Sequence, residues 1–567
     1  MVKKWVYEKL PAEERVHTIS QSINVNQVIA SILAQRSVLD YQQAKDFFRP
    51  SLAQVHDPFL MTDMDRAVDR LLLAIDNNEQ ILVYGDYDVD GTTAVALCYG
   101  FLKQHYRNID YYIPDRYQEG YGLSQRAIDL AHQQGVSLII TLDCGIKAVE
   151  LISQAKDRGI DFIICDHHRP GLDLPSAIAV LDPKREDCTY PFDELSGCGV
   201  GFKFMQGFCQ RSSIPVASLY EYLDLVAVSI ASDMVPITGE NRVLTHFGLR
   251  KLNHSPRPGL KSLRNLSGSN RVMTVSDVVF GIAPRINAAG RIGHAKDAVK
   301  LLLSENENEA DHWAGQVNEK NITRRNVDAD ITEEALAMIE QRDPEQTAKS
   351  TVLYKGDWHK GVIGIVASRC LEKYYRPTII LTESKHKATG SARSVAGFDI
   401  YQAITECSDL LDQYGGHKYA AGLTLPLDKV TDFQERFEEV VSKSISEELL
   451  TPVVEVDQTI SFDQLDFKLY KLIKRMAPFG PENRQPVFAT MNVQASHAPR
   501  ILKEAHLKFL VKEEASKTQY EAIGFGLSHY AEAIKDGALF DVAYSIDQND
   551  YQGHRSLQLV IKDIKLK

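Results

Sequence analysis

The sequence lacks the features of secreted, membrane-spanning and disulfide-stabilised proteins. No apolar run approaches the ~18 residues that span a bilayer, and the first residues contain no apolar leader segment. The eight cysteines are scattered, and none forms a CxxC pair, which argues against a zinc knuckle or a disulfide framework. Internal repeats and long low-complexity stretches are absent as well. We therefore expect a cytoplasmic protein with free thiols and no membrane contact.

Acidic residues outnumber basic ones in the whole chain, yet one segment contains no acidic residue. The chain has 64 Lys and Arg against 76 Asp and Glu, which argues against a protein that coats nucleic acid over its whole surface. Residues 241–276, the acid-free segment, nevertheless carry Arg242, His246, Arg250, Lys251, His254, Arg257, Lys261, Arg264 and Arg271. The segment is either an ordinary solvated surface or a track for a phosphate backbone.

The pattern of apolar residues changes several times along the 567-residue chain. It predicts an α/β fold: a doubly wound parallel-sheet domain, a long connecting helix, a smaller α/β domain and a C-terminal OB-like β-barrel. The expected bounds are a helical cap at 1–70, the parallel-sheet domain at 71–300, the connecting helix at 301–345, the smaller domain at 346–446 and the barrel at 447–567. Asp343-Pro344 should end the connecting helix.

In the first α/β part, short apolar runs alternate with helical segments. The predicted strands are Gln80–Gly85, Ile109–Ile113, Val136–Leu142, Asp161–Cys165 and Ala177–Leu181, and the predicted helices are Thr93–Gln104, Ser124–Gln134 and Lys147–Asp157. In parallel sheets of this kind, ligands bind at the carboxyl ends of the strands. The residues that follow the strands are therefore the first place to look for a site.

Acidic residues and histidines stand at three of these strand ends. Asp86, Asp88 and Asp90 lie within ILVYGDYDVDGT, Asp143 follows the third strand, and Asp166-His167-His168 follow the fourth. Mg²⁺ and Mn²⁺ prefer carboxylate oxygens, and imidazole shifts the preference toward Mn²⁺. The sequence predicts a site for two such ions, which together promote phosphoryl displacement.

Each of these residue types suits a different task. Asp88 and Asp90, two apart on an extended loop, would serve different ions, and Asp143 would bridge them. His167 would bind metal, and His168 would contact a phosphate oxygen or transfer a proton. The residues expected to act in catalysis are Asp143, His168 and Asp166, the last by orienting a histidine.

Two acidic positions leave alternatives open. Asp233, in ASDMVP, reads as a turn residue in isolation, but beside the other acids we favour metal ligation. The DYDVDG run could suggest a calcium loop, but Leu97 occupies the twelfth position from Asp86, where such a loop carries Glu.

Glycine-rich stretches in the second α/β part suggest phosphate contacts. Gly415–His417 is expected to open a helix, where backbone N–H groups bind anions. Arg393, in the GSARS run that includes Ser391, could hold a phosphate with two parallel hydrogen bonds.

The ordered motifs resemble the DHH phosphoesterase superfamily and, within it, the branch of single-strand-specific DNA exonucleases. They are GDYDVDG, LDCG, DHH, ASDMVP, PRINAAGRIG, GSARSVAGFD and GGHKYAAG, the last resembling the DHHA1 subdomain. The resemblance implies Mg²⁺- or Mn²⁺-dependent, 5′ to 3′ removal of 5′-mononucleotides from single-stranded DNA in recombination and repair. Many smaller members have histidine where this chain has Tyr84, so the first ion must be held differently.

The resemblance also implies roles for particular residues and partners. The implied metal ligands are Asp88, Asp90, Asp143, His167 and Asp233, with Asp86 less certain; the implied DNA-binding residues are Arg285, Asn287, Arg291, Ser391, Arg393, Gly416 and His417. The barrel would bind single-stranded DNA. A monomer is expected, with a single-strand-binding protein and a RecQ-type helicase as partners.

Two other functions fit parts of the pattern. One is a DHH phosphodiesterase for short oligonucleotides or cyclic dinucleotides, which should be shorter and lack the β-rich tail. The other is a non-catalytic factor that binds single-stranded DNA in a replication assembly, which should have lost metal ligands.

Overall fold

The computed structural model describes residues 3–268, 271–514, 516, 518–535, 537–551 and 553–567. Ser269 and Asn270 of the acid-free segment therefore lie outside the described residues. The chain divides into two compact units: an N-terminal unit of residues 9–321 and 465–486, and a C-terminal unit of residues 3–8, 322–464 and 487–567. Each unit thus includes a short piece of chain from a distant part of the sequence.

Helices and strands alternate through the first part of the chain. The first elements are β1 (Lys4–Tyr7), α1 (Glu13–Ile23), α2 (Gln27–Gln35), α3 (Tyr41–Phe48) and α4 (Met64–Asp76). There follow β2 (Gln80–Gly85), α5 (Val89–Lys103), β3 (Ile109–Tyr112), α6 (Gln125–Gln133), β4 (Val136–Leu142), α7 (Val149–Lys156), β5 (Asp161–Cys165) and β6 (Ala179–Leu181). Strands β2, β4 and β5 have the predicted bounds, whereas β3 and β6 are shorter than predicted.

Strands β2 to β6 form one parallel sheet in the order β3-β2-β4-β5-β6. Alternate residues of β2 enter different cores: Ile81 and Val83 pack on one face, and Leu82 and Tyr84 on the other. Helices α5 and α4 contribute to the first core, and α6 and α7 to the second. Burial on both faces explains why these strands are continuous apolar runs, and it confirms the doubly wound sheet.

The rest of the N-terminal unit is helical up to the long connecting helix. Its helices are α8 (Gly197–Arg211), α9 (Val216–Leu219), α10 (Leu223–Asp233), α11 (Gly239–His254), α12 (Pro258–Leu266), α13 (Val275–Asp277), α14 (Ala283–Ile292) and α15 (Lys296–Leu303), with a π-helical turn at Val278–Ile282. The connecting helix α16 (Glu307–Arg342) begins in this unit and belongs to the C-terminal unit from residue 322 onward. Helix α16 ends directly before Asp343-Pro344, because the residue before a proline is disfavoured in helical conformation.

The C-terminal unit contains a second sheet and a barrel. Its first elements are β7 (Thr351–Tyr354), α17 (Ile363–Tyr374), β8 (Thr378–Ser384), β9 (Lys387–Arg393), α18 (Ile400–Thr405), β10 (Gln413–His417), β11 (Ala420–Leu425), α19 (Val430–Ser444), β12 (Val453–Val456) and β13 (Gln458–Thr459). After α20 (Phe467–Arg475), which belongs to the N-terminal unit, come β14 (Phe488–Ala495), β15 (Arg500–Leu502), β16 (His506–Glu513), β17 (Gln519–Gly524), β18 (Phe540–Tyr551) and β19 (His554–Leu566).

Five strands of the barrel close into a ring. Strand β14 pairs with β18, β18 with β19, β19 with β17, β17 with β16, and β16 pairs back to β14. This is the predicted OB-like barrel. At the start of the chain, β1 pairs in parallel with β12, so the predicted helical lead-in also contains a strand that belongs to the C-terminal unit.

Residues 465–486 return to the N-terminal unit and are held there by hydrogen bonds. The Ile237 N–H donates to the Pro481 carbonyl (2.8 Å), and Arg36 donates to the Asn483 side chain (2.6 Å). The buried Arg242 guanidinium donates to the carbonyls of Met476 and Ala477. The α10–α11 connection is therefore fixed by residues that lie more than two hundred positions further along the chain.

A buried ion pair anchors α8 to α11. Lys203 and Glu240 are both almost fully buried, with Nζ 3.3 Å from the carboxylate. The same carboxylate accepts hydrogen bonds from the Tyr190 hydroxyl (2.6 Å) and the His56 backbone N–H (2.8 Å). Lys203 also donates to the His56 carbonyl. Every group in the cluster is thereby satisfied, which buried charges require.

Removing the cation of this pair should destabilise the N-terminal unit strongly. We expect Lys203→Met to lower the free energy of unfolding by about 3–5 kcal/mol, because Glu240 is left charged and buried. Lys251→Met is the control: Lys251 pairs at 2.5 Å with Glu221, whose side chain is 72% exposed, and its loss should cost less than about 1 kcal/mol. Urea unfolding of the wild type, Lys203→Met and Lys251→Met measures the two losses of stability. Equal losses for the two variants would contradict the prediction.

The same lysine should make stability depend on pH. Burial lowers the pKa of Lys203 to about 8, from 10.5 in an exposed lysine. Between these values the unfolded chain binds more protons than the folded one, so the stability contributed by this site rises with pH. The difference in unfolding free energy between the wild type and Lys203→Met should therefore increase between pH 8 and 10, in favour of the wild type. Urea titrations at several pH values measure this difference. A constant difference would argue against the lowered pKa.

Candidate metal centre

The acids and histidines predicted at strand ends meet at one edge of the parallel sheet. Asp86 follows β2, Asp143 follows β4, and Asp166-His167-His168 follow β5. Because β4 pairs with both β2 and β5, these three strand ends are neighbours. Asp143 adopts a left-handed backbone conformation (φ 59°), which Asp tolerates better than most residues.

The loop after β2 differs from the predicted extended loop. Helix α5 begins at Val89, four residues earlier than predicted, with Asp88 as its N-cap, accepting a hydrogen bond from Gly91 N–H (3.0 Å). Asp90 therefore lies in the first helical turn. The early start is physically reasonable because Asp is a strong N-cap residue. Gly91 is needed because a Cβ there would lie 2.5 Å from the Asp86 carbonyl oxygen.

Asp90 reaches the N-terminus of a second helix, which the sequence did not predict. Its carboxylate accepts hydrogen bonds from the backbone N–H groups of Gly197 (2.6 Å) and Cys198 (2.8 Å) at the start of α8, and from the Ser229 hydroxyl (2.6 Å) on α10. The signal that could have pointed to α8 is Ser196-Gly197-Cys198-Gly199, a serine cap followed by small residues.

His167 is shared by two groups of candidate metal ligands. One group is Asp90, His167 and Asp233, and the other is Asp143, His167 and His168. The His167 Nε2 atom lies 3.2 Å from Asp143, 3.6 Å from Asp233 and 3.7 Å from Asp90. Asp233, at the end of α10, is thus brought to the other ligands, and the structure favours this placement over an isolated turn residue.

These residues fit divalent cations. Although His167 is buried, neither ring nitrogen forms a hydrogen bond within the described part of the chain, and one Asp86 oxygen is equally unsatisfied. Burial, and then neighbouring carboxylates, raise the pKa values of Asp86, Asp88, Asp143 and Asp233. Carboxylates and an unsatisfied imidazole form the donor set that Mg²⁺ and Mn²⁺ bind.

Asp166 holds His168. Its carboxylate accepts hydrogen bonds from His168 Nδ1 (2.7 Å) and from the backbone N–H groups of His167 (2.8 Å) and Ile146 (3.0 Å). Burial alone would raise the pKa of Asp166, but the hydrogen bond and charge of His168, the Ile146 N–H and the charge of His167 together lower it to about 2. Burial would lower the pKa of His168, but its hydrogen bond to Asp166 and the charges of Asp166, Asp90 and Asp88 together raise it. The other ring nitrogen of His168, Nε2, lies 3.1 Å from the Tyr121 hydroxyl oxygen, within hydrogen-bond distance.

The Tyr84 hydroxyl is directed to the backbone of a nearby loop and not to a candidate metal ligand. The fully buried side chain stacks on Tyr112, and its hydroxyl donates to the Gly122 carbonyl (2.7 Å). It therefore supports the 120–122 loop that carries Tyr121.

The predicted DNA-binding residues of the N-terminal unit lie on α14. Arg285 donates to the Asn318 side chain (3.0 Å) and to the carbonyls of Leu266 (2.9 Å) and Gly281, so much of its guanidinium is engaged within the protein. Asn287 and Arg291 are half-buried, and the Arg291 carbonyl accepts a hydrogen bond from Tyr117. Contacts of α14 with DNA stay a prediction.

The Gly415–His417 stretch is a strand, and the predicted helix N-terminus is wrong. It lies in β10, which pairs with β11 in a hairpin where His417 stands opposite Ala420. Strand β10 lies at the edge of its sheet, so this stretch offers the backbone of a strand and not a helix N-terminus to an anion. Ser391 and Arg393 lie on β9, where Arg393 donates to the Ser391 hydroxyl (3.1 Å). Phosphate binding by Ser391, Arg393, Gly416 and His417 stays a prediction.

The acid-free segment finds its acids elsewhere in the fold. Arg257 donates to the buried Asp224 (3.0 Å), and Arg271 to Asp277 (2.8 Å). Lys251 and Lys261 pair with Glu221 and Glu307, each at 2.5 Å. These four cations already have acidic partners within the protein, so they do not favour the phosphate track over a solvated surface, and the track stays a prediction.

Among the described helices, none has the length and apolar character needed to cross a membrane.

Three family models match successive parts of the chain. The DHH family N-terminal domain matches residues 80–230, the DHHA1 domain 347–443 and the RecJ OB domain 456–563. The β-rich tail, which a phosphodiesterase for small substrates should lack, is thus present.

Similar proteins and structures cover nearly the whole chain. The single-stranded-DNA-specific exonuclease RecJ of Bacillus subtilis is 36% identical over 99% of this chain and 70% of that protein. The crystal structure of Thermus thermophilus RecJ with Mn²⁺ has a TM-score of 0.84 and 27% identity, covering 100% of this chain and 80% of that one. The same protein with Mg²⁺ has a TM-score of 0.79 and 26% identity, covering 100% and 78%.

The response of thermal stability to metal should show whether Asp143 belongs to the candidate metal centre. We expect Asp143→Asn to raise the unfolding midpoint of metal-free protein by about 2–4 °C, roughly 1 kcal/mol, because it relieves carboxylate repulsion. The same variant should lose most of the stabilisation that Mn²⁺ gives the wild type.

Thermal unfolding after chelator treatment, with and without added Mn²⁺, makes this measurement. Asp297→Asn is the control, since Asp297 pairs with Lys320 outside the cluster, and it should keep the Mn²⁺ response. An Asp143→Asn protein that is stabilised as strongly as the wild type would exclude Asp143 from the metal centre.

Proposed function

The chain belongs to the RecJ family of single-stranded-DNA-specific exonucleases, and we propose that it removes 5′-mononucleotides stepwise from single-stranded DNA in the 5′ to 3′ direction by two-metal hydrolysis. The observation that carries the mechanism is the convergence of the Asp90, Asp143 and Asp233 carboxylates on His167 Nε2, at 3.7, 3.2 and 3.6 Å. The direction rests on the resemblance of the motifs to the exonuclease branch of the superfamily.

The cofactor is Mn²⁺ or Mg²⁺, and the proposal assigns two ions to the site. Asp88, Asp90, Asp143, His167 and Asp233 would hold them, with Asp143 as the shared ligand. Asp86, whose carboxylate has one unsatisfied oxygen, is the further candidate. When bound, two such ions activate a water and stabilise the attacking and leaving oxygens of an in-line displacement.

The residues of the chain itself would position the DNA and move the proton. A water that gives one proton to the solvent would attack the phosphorus, and the bond from phosphorus to the O3′ atom of the terminal nucleotide would break. His168, held by Asp166, would contact the phosphate and give its proton to O3′, which is what the raised pKa of this histidine favours. Tyr121, at 3.1 Å, would fix the orientation of the ring.

DNA contacts away from the metal centre follow from the resemblance. Arg285, Asn287 and Arg291 on α14 would hold the 5′ end or its neighbouring phosphates, and Ser391, Arg393, Gly416 and His417 would hold phosphates from the C-terminal unit. Arginine suits this task because its planar fork binds two phosphate oxygens at once. The OB barrel would bind the strand by stacking and backbone contacts.

The cellular setting is part of the proposal. We place the enzyme in the cytoplasm as a monomer that acts in recombination and repair, together with a single-strand-binding protein and a RecQ-type helicase. The five-part division of the chain inferred from sequence patterns is proposed as its functional organisation.

Digestion of single-stranded DNA labelled at either end tests the function. With Mn²⁺, a 5′ label should appear at once in a mononucleotide, whereas a 3′ label should remain on fragments that shorten progressively. Release of the 3′ label first would contradict the proposed direction, and cleavage of dinucleotides alone would favour the small-substrate alternative.

Asp143→Ala should separate catalysis from binding. Cleavage should fall by orders of magnitude, while affinity for single-stranded DNA stays within a few-fold, because cationic contacts dominate binding. Asp297→Asn is again the control and should cleave normally. Loss of DNA binding at unchanged metal content would contradict the role given to Asp143.

A further inference from the structure

Asp90 has an unusually complete set of hydrogen-bond donors for a candidate metal ligand. Gly197 N–H donates to Oδ2 at 2.6 Å, while Cys198 N–H (2.8 Å) and the Ser229 hydroxyl (2.6 Å) donate to Oδ1. The two N–H groups open the fifteen-residue helix α8, whose dipole favours a negative charge at this end.

The hydroxyl in this set is the end of a chain of hydrogen bonds with a fixed direction. Ser196 caps α8 by accepting from Gly199 N–H (3.1 Å), and its oxygen lies 2.6 Å from that of Ser229. Ser229 donates its one proton to Asp90, so Ser196 must donate to Ser229. Both serines are fully buried, and such chains strengthen each member.

The donors leave Asp90 only one position for a metal ion. Each carboxylate oxygen has two lone pairs. Both on Oδ1 are used by Cys198 and Ser229, whereas Gly197 uses one on Oδ2. The remaining pair belongs to the oxygen that faces His167 Nε2 at 3.7 Å, in the group formed with Asp233.

Gly197 also sets the distance between two carboxylates. A Cβ at this position would lie 2.6 Å from the Asp143 Cβ and 2.9 Å from its Oδ1. Only glycine lets the first turn of α8 donate to Asp90 while packing against Asp143. One backbone segment therefore fixes both acids.

We propose that Ser229 and the first turn of α8 are positioning elements that orient Asp90 as a metal ligand with a single coordinating oxygen, and that Ser229 thereby sets metal affinity. The inference rests on the proposed metal centre. A purely structural Ser229 would affect stability but not metal affinity, because its hydrogen bond would serve only to satisfy a buried carboxylate.

The test is a titration of chelator-treated full-length protein with Mn²⁺, followed by calorimetry and by electron paramagnetic resonance of free Mn²⁺. We expect Ser229→Ala to weaken the tighter Mn²⁺ binding by about 10-fold or more, as loss of a group that orients a ligand typically does. Ser229→Cys, similar in size but a weak donor, should behave alike, and Ser229→Thr, which keeps the hydroxyl, should restore much of the affinity.

Ser262→Ala is the matched control. Ser262 donates to Asp311 at 2.6 Å, the same length as the Ser229–Asp90 bond, but outside the metal centre of the same unit. Its Mn²⁺ affinity should stay within twofold of the wild type. If Ser229→Ala fails to fold, the Cys and Thr variants decide the comparison.

The outcomes separate the two levels of the proposal. A wild type that binds no Mn²⁺ would overturn the metal centre and the positioning role together. A wild type that binds Mn²⁺, with Ser229→Ala or Ser229→Cys binding equally well, would overturn the positioning role alone.

Discussion

Repulsion among buried carboxylates is the constraint on which the N-terminal unit depends. Two such charges 4 Å apart repel by about 4 kcal/mol at an effective dielectric of 20, which exceeds the net contribution of a typical hydrogen bond. Backbone N–H groups stabilise these carboxylates by donating hydrogen bonds to them. Gly91 donates to Asp88, Gly197 and Cys198 donate to Asp90, and Ile146 donates to Asp166. These donors lie at helix starts and strand ends, so the sheet edge supplies both the charges and the dipoles that tolerate them. Cations balance the repulsion that remains, which couples folding to metal binding.

The parts of the fold that the sequence predicts well are those determined by residues close together along the chain. Strands β2, β4 and β5 were located to the residue, because strands buried on both faces leave continuous apolar runs. The strand-end acids followed from the same pattern. The donors around Asp90 could not be predicted, because Gly197 and Ser229 are 107 and 139 residues away along the chain and nothing in their local sequence refers to an acid.

One wrong prediction and one alternative that stays open have a common physical cause. The acid-free segment looked like a cationic surface, but Asp224 and Glu307 lie outside it in sequence and beside it in space. The Gly415–His417 stretch looked like a helix start, but pairing with β11 made it a strand. In both cases a one-dimensional pattern was read without the partners that only the tertiary fold supplies.

The exchange of short segments between the two units has a consequence for synthesis on the ribosome. Residues 465–486 bond to the α10–α11 connection just after Asp233, and β1 pairs with β12. At about 5–20 residues per second, some 250 residues, or roughly 10–50 s of translation, separate Asp233 from this segment. During that time the α10–α11 connection lacks the hydrogen-bond partners that hold it in the finished protein, so the N-terminal unit completes its packing only near the end of synthesis.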